Sequence, residues 1–165
     1  DSNAVAKINA NTVNIDSSYA STKVEITAKK DIHYNNSANS EGTSLTSKNG
    51  SVYLGNGGGY YSAGSSHKTL TVNAANKVDI KDNLSVFGDL SVTAGKPGIS
   101  LPSDLNVYGN TVFTTPGDIT SSAFFTSHNF NKNLTYILSK DSKITAYNQY
   151  TKPWVFGKTQ TIIKK

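Results

Sequence analysis

Asn83-Leu84-Ser85-Val86-Phe87-Gly88-Asp89-Leu90-Ser91-Val92 holds two short apolar pairs, Leu84/Val86 and Leu90/Val92, separated by a Phe-Gly-Asp corner. In an extended chain, residues two apart lie on one face, so each pair sends two side chains inward and turns the serine between them outward. Gly and Asp are residues that redirect a chain. The phrase returns at Asp104-Leu105-Asn106-Val107-Tyr108-Gly109-Asn110, and Val78, Leu84 and Leu90 stand six apart, as do Ile99 and Leu105. Strands this short bury little alone and gain a core only by stacking on copies of themselves. The expected fold is all-β, a β-solenoid or a trimeric β-helix; the pattern suits one chain coiling or three chains wound round one axis.

The same pairing extends outward through Val13/Ile15, Val24/Ile26, Ile32/Tyr34, Val52/Leu54 and Leu70/Val72, with no helical periodicity from Val5 to about Val112. Residues 1–112 therefore read as a β-helical stem. Within it, Lys48-Asn49-Gly50-Ser51 carries the Asn-Gly favoured in type I′ hairpins and is followed by the glycines 55 and 57–59 and by Tyr60-Tyr61. That predicts a protruding hairpin near 43–61. From Phe113 onward large aromatics crowd in, including Phe124, Phe125, Phe130, Tyr136, Tyr147, Tyr150, Trp154 and Phe156. Residues 113–165 read as a small aromatic-rich β head, or as the last rungs with a cap, with a hairpin of Leu134–Leu138 and Lys143–Tyr147 around Lys140-Asp141-Ser142.

Composition narrows the function classes. The chain has 165 residues, no Cys and no Met, so neither a disulfide nor a thiolate metal site is possible and stacked strands must supply the stability. A start without Met reads as a processed piece of something longer. No apolar run approaches the roughly 20 residues that span a bilayer, so no membrane insertion is expected of this stretch. The net charge of +5 comes from lysine alone. Absence of Arg, the residue that grips phosphate and guanine with two bonds, argues against nucleic acid as partner. Dispersed lysines are expected to guard exposed strand edges.

Catalytic and metal-binding patterns are missing. His33, His67 and His128 have no partner at ligand spacing, and Glu25 and Glu41 are the only glutamates. Asp82, Asp89 and Asp104 sit where corners need them, so no paired carboxylates of a glycosidase stand out. There is no Gly-x-Ser-x-Gly elbow, and the Gly-rich loop lacks the Lys-Ser/Thr of a phosphate loop. A hexapeptide-repeat acyltransferase would need one apolar residue per rung and a His within the repeat. We expect no enzyme, no cofactor and no metal.

At residues 83–92 and 104–110 the chain resembles the rungs of bacteriophage tail-fibre and baseplate proteins. Over Ile8 to Phe113, with phrases such as Ile26-Thr27-Ala28-Lys29-Lys30-Asp31-Ile32, it looks like the β-helical stems of such proteins from phages of Gram-positive hosts. The resemblance implies a homotrimer in a virion tail, whose rigid stem carries a tip that binds host cell-surface polysaccharide. Solenoid-bearing minor pilins and secreted cell-surface adhesins share such rungs and form the alternative, with light scattering separating a trimer from a monomer; bactofilins match less well. For the tip, exposed rings that stack on sugars with little loss of side-chain entropy are the candidates. Trp154 leads, since Pro153 restricts the chain before it; Tyr147 and Tyr150 stand near it in sequence, and Tyr60 and Tyr61 form a second group. The competing role for each ring is the core of the head itself.

Overall fold

A computed structural model describes residues 4–16, 23–35, 41–56, 63–121, 123–157 and 159–165, with backbone alone over 63–67. Apolar pairs set next to corner residues give strands of only two to six residues. In chain order come β1 (Val5–Ala10), β2 (Val13–Ile15), β3 (Lys23–Ala28), β4 (Ile32–Tyr34), β5 (Gly42–Ser47), β6 (Val52–Leu54) and β7 (Ala63–His67). Three complete three-sided turns follow. They are β8 (Leu70–Ala74), β9 (Val78–Ile80) and β10 (Leu84–Val86); β11 (Leu90–Thr93), β12 (Ile99–Leu101) and β13 (Asp104–Val107); and β14 (Thr111–Thr115), β15 (Ile119–Ser121) and β16 (Ser127–Phe130). Last are β17 (Leu134–Leu138), β18 (Trp154–Val155) and β19 (Gln160–Lys164).

Each strand pairs in parallel with the strand one turn before or after it. The first sheet runs β1-β3-β5-β8-β11-β14-β17-β19, the second β15-β12-β9-β6-β4-β2, and the third β18-β16-β13-β10-β7. The molecule is a β-solenoid of about six turns with no helix among the described residues. Of the two arrangements the sequence allowed, one chain coils, and all three sheets form within it.

Registration puts like on like. In the first sheet Ile26, Leu45, Val72, Val92, Phe113 and Tyr136 form one inward column, and in the second Val13, Ile32, Val52, Val78, Ile99 and Ile119 form another. All are buried, in one continuous core. Toward the C-terminus the turns widen. Leu70, Leu90, Thr111, Leu134 and Gln160 are in register, so the repeat grows from 20 to 26 residues. Bigger side chains fill the core of these last turns: Phe113, Phe130 and Tyr136 are fully buried, with Phe113 against Phe130 edge-on at 6.3 Å and against Tyr136 stacked at 5.7 Å.

Three expectations need correction. The division at 112/113 falls inside β14, which pairs with β11 and β17 along its length, so of the two readings of the aromatic third it is the last rungs of the solenoid, and not a separate head, that forms. Leu134–Leu138 makes no hairpin with Lys143–Tyr147; it lies between β14 and β19, and Ile144 bridges in parallel to Ile119. Nor does Asn49-Gly50 turn a hairpin at 43–61, because β5 and β6 belong to different sheets; residues 57–62 lie outside the described ones. A type I′ turn needs positive φ at both central residues, and Gly50 does not have it. Glycine is required there by crowding instead: a Cβ would stand 2.4 Å from Asp31 Oδ1 and 2.6 Å from the Lys30 carbonyl carbon one turn below.

The corner aspartates act between turns rather than within their own. Asp31 Oδ1 accepts from Ser51 N at 2.8 Å, Asp89 Oδ1 from Asn110 N at 2.7 Å, and Asp118 Oδ1 from Lys143 N at 2.8 Å. Each satisfies a corner amide that the sheet ladders leave over.

Candidate binding face on the third sheet

β18 is the last strand of the third sheet, paired to β16 through Asn129↔Trp154 and Phe130↔Val155. Phe130 points into the core and Val155 packs on it, so strand alternation turns Trp154 and Phe156 outward. They are 67% and 65% exposed, nearly parallel at 18°, with centroids 6.5 Å apart. Together the two stacked rings form one apolar platform open to solvent.

Below the platform the same face is polar and ordered. Asn129 donates its amide to Asn106 Oδ1 at 2.7 Å, one turn down, and Asn131 Nδ2 donates to the Val107 carbonyl at 3.3 Å. Backbone bonds from Tyr108 to Val86, Asn131 to Val107 and Phe156 to Phe130 place Phe87, Tyr108, Asn131 and Phe156 in one outward column. Phe87 and Tyr108 stack face to face at 5.0 Å and 2°. Glycines behind them permit this approach, for a Cβ on Gly109 would come within 2.3 Å of the Gly88 carbonyl.

The corner leading into the third sheet is built in two layers. Asn148 Nδ2 donates to the Phe124 carbonyl at 3.1 Å and Thr126 Oγ1 to the Thr151 carbonyl at 3.3 Å. Phe124 and Phe125 are exposed on the lower layer, and Tyr150, 74% exposed, sits on the upper.

Of the five tyrosine and tryptophan candidates, Trp154 and Tyr150 are on the surface in neighbouring elements. Tyr147 is not available to a ligand. Its ring packs against the core, and its hydroxyl stands 3.2 Å from His128 Nδ1 and 3.3 Å from the Tyr136 hydroxyl. Tyr60 and Tyr61 lie outside the described residues. Phe156, Phe87 and Tyr108 join the face without having been singled out. Their signal was the aromatic-Gly pair that follows three of the five third-sheet strands, at Phe87-Gly88, Tyr108-Gly109 and Phe156-Gly157.

His128 serves structure. His128 Nε2 is 2.8 Å from the Pro102 carbonyl, which only accepts, so Nε2 carries the proton and Nδ1 accepts from Tyr147. Burial holds the His128 pKa below its usual value, against the opposing effects of the Pro102 bond and Asp104. Burial also pushes the Tyr136 phenol up to about 12, and the Tyr147 phenol further in the same direction. His33 is exposed on β4 and stacks on Tyr53 at 4.6 Å. Among the described residues no cluster of three His, Asp or Glu side chains is placed to hold a metal ion.

No protein-family model, no curated protein and no solved structure matches this chain. The function must be argued from the face itself.

Proposed function

We propose that this chain is a non-enzymatic structural and host-surface-binding module of a phage tail fibre or baseplate, acting in the virion tail or outside the cell, and that it contacts cell-wall polysaccharide through the outer face of its third sheet. The observation that carries this reading is the Trp154–Phe156 platform, two large rings left in water on the edge of a rigid stack. Sugar rings present apolar C–H faces that stack on such a platform, while their hydroxyls meet the carboxamides of Asn106, Asn129 and Asn131 and the Tyr108 hydroxyl. Because strands one turn apart hold every ring and amide in place, binding would order few side chains. In a fibre homotrimer, three such chains would associate side by side, since each completes its own sheets without exchanging strands.

The test is Trp154→Ala. An exposed ring contributes little to folding, so the melting temperature should change by no more than a degree or two. Binding to purified host cell walls, measured by pull-down, should fall at least tenfold. Full binding by a normally folded Trp154→Ala protein would refute the platform as the site.

A further inference from the structure

We infer that the polymer recognised at the Trp154–Phe156 platform is an anionic polysaccharide, whose carboxylate, sulfate or phosphodiester groups meet lysines at both ends of β18. This rests on the glycan reading of the platform, but the observation behind it is a separate one. Residues 132–165 contain seven of the 16 lysines and a single acid, Asp141, for a net charge of +6; residues 1–131 contain nine lysines and ten acids, for −1. The positive charge of the whole chain thus sits on its last turns.

Its placement follows from the register. Lys152 lies two residues before Trp154, at the entry to β18. Lys132 lies beside the exit, because Gly157 rests on the Lys132 backbone, where a Cβ would be 2.2 Å from the carbonyl carbon. Both lysines are exposed. The three ion pairs among the described residues, Lys7–Glu25, Lys68–Glu41 and Lys77–Asp79, all belong to earlier turns. Lys164 donates to the Ser142 carbonyl, whereas Lys132, Lys140, Lys143 and Lys152 have no carboxylate partner among the described residues.

Edge protection does not explain this surplus. The earlier turns carry lysines and acids in near balance, and uncompensated like charge destabilises the folded state. Two exposed lysines without carboxylate partners, Lys132 and Lys152, at the two ends of the strand that carries an exposed aromatic pair are instead what an anionic polymer with apolar ring faces requires. Lysine, a mobile point charge, suits anions spaced along a flexible chain; the forked geometry used for base and phosphate recognition belongs to Arg, which is absent.

The experiment titrates the full chain by biolayer interferometry against carboxymethylcellulose, hyaluronate and poly(glycerol phosphate), against the neutral hydroxyethylcellulose and dextran, and against single-stranded poly-dT. Salt is raised from about 50 mM to about 500 mM, which shortens the screening length severalfold. We expect at least one anionic polymer bearing sugar or polyol units to bind tenfold or more tighter than any neutral one. That binding should weaken at least tenfold in high salt, at least threefold in a Lys132→Gln/Lys152→Gln protein of unchanged melting temperature, and be lost in Trp154→Ala. Equal or tighter binding of a neutral polysaccharide, still dependent on Trp154, would overturn the anionic inference and leave the glycan platform standing. Preference for poly-dT would overturn it in favour of nucleic acid, and binding to none of the polymers would overturn both readings.

Discussion

His128 occupies the inward position that Leu84 and Leu105 take in the two preceding turns. A polar ring is tolerated there because all its polar atoms are used: Nε2–H on the Pro102 carbonyl, Nδ1 on Tyr147, and Tyr147 in turn on Tyr136. Buried neutral, it should make stability depend on pH. Its pKa is lower folded than unfolded, so between those values the unfolded chain binds more protons and stability rises with pH. The contribution is complete above about 6.5 and is lost as pH falls through the folded pKa. Melting followed from about pH 7.5 down to about pH 5 should show this loss, and His128→Leu, which restores the column residue, should flatten the curve over that interval. Identical slopes in the two proteins would mean that His128 protonates freely while folded. From the sequence, His128 reads as a satisfied or surface histidine and Tyr147 as a ligand ring. The structure joins them because His128, two residues before Phe130, shares its inward face, and coiling brings Tyr147, 19 residues later, to within 3.2 Å of its ring.

At the scale of the strand, period-two alternation decides which substitutions matter. Leu90 on β11 is fully buried between Leu70 and Thr111, while Ser91 faces outward and is half-buried. Leu90→Ala should cost about 2 to 5 kcal/mol, the range for truncating a buried leucine, and Ser91→Ala should stay within about 0.5 kcal/mol. Urea titration of both variants checks this, and similar losses would contradict the register. This much was legible, since every apolar pair from Val13/Ile15 to Leu105/Val107 marks a strand with its inward face correctly assigned. Pairing partners were not. A hairpin and a solenoid corner draw on the same Gly, Asn and Asp residues, and Asn49-Gly50 belongs to a corner only because the following strand finds its hydrogen bonds one turn away.

Across the whole molecule, stability is a sum of turn-to-turn interfaces, so each turn is held by its neighbours on both sides. β8, β11 and β14 have partners on both edges, whereas β1 and β19 each have one and are exposed along their length, with Ile8 and Ile162 at inward positions yet partly in water. Amide hydrogen exchange followed by mass spectrometry should therefore show protection highest in β8, β11 and β14 and falling toward both terminal strands. Uniform protection from β1 to β19 would indicate that the end turns are covered in solution. The same geometry bears on the candidate site, for β18 also ends its sheet, and its outer edge stays open beside the platform.

The sequence by itself determined the all-β class, the stacked short strands, the division of each strand into inward and outward residues, and the absence of thiol chemistry. These are local properties: alternation, corner residues and composition act over a few positions and survive any arrangement of the turns. Tertiary structure decided that one chain coils on itself, that the last third continues the solenoid, and that Phe113, Phe130, Tyr136 and Tyr147 fill the core while Trp154 and Phe156 remain outside. Those outcomes turn on pairing between turns, which joins residues from 18 to 27 positions apart. Stacking closes a core that the aromatics at inward positions fill, whereas Trp154 and Phe156, turned outward at the last strand of the third sheet, stay in water.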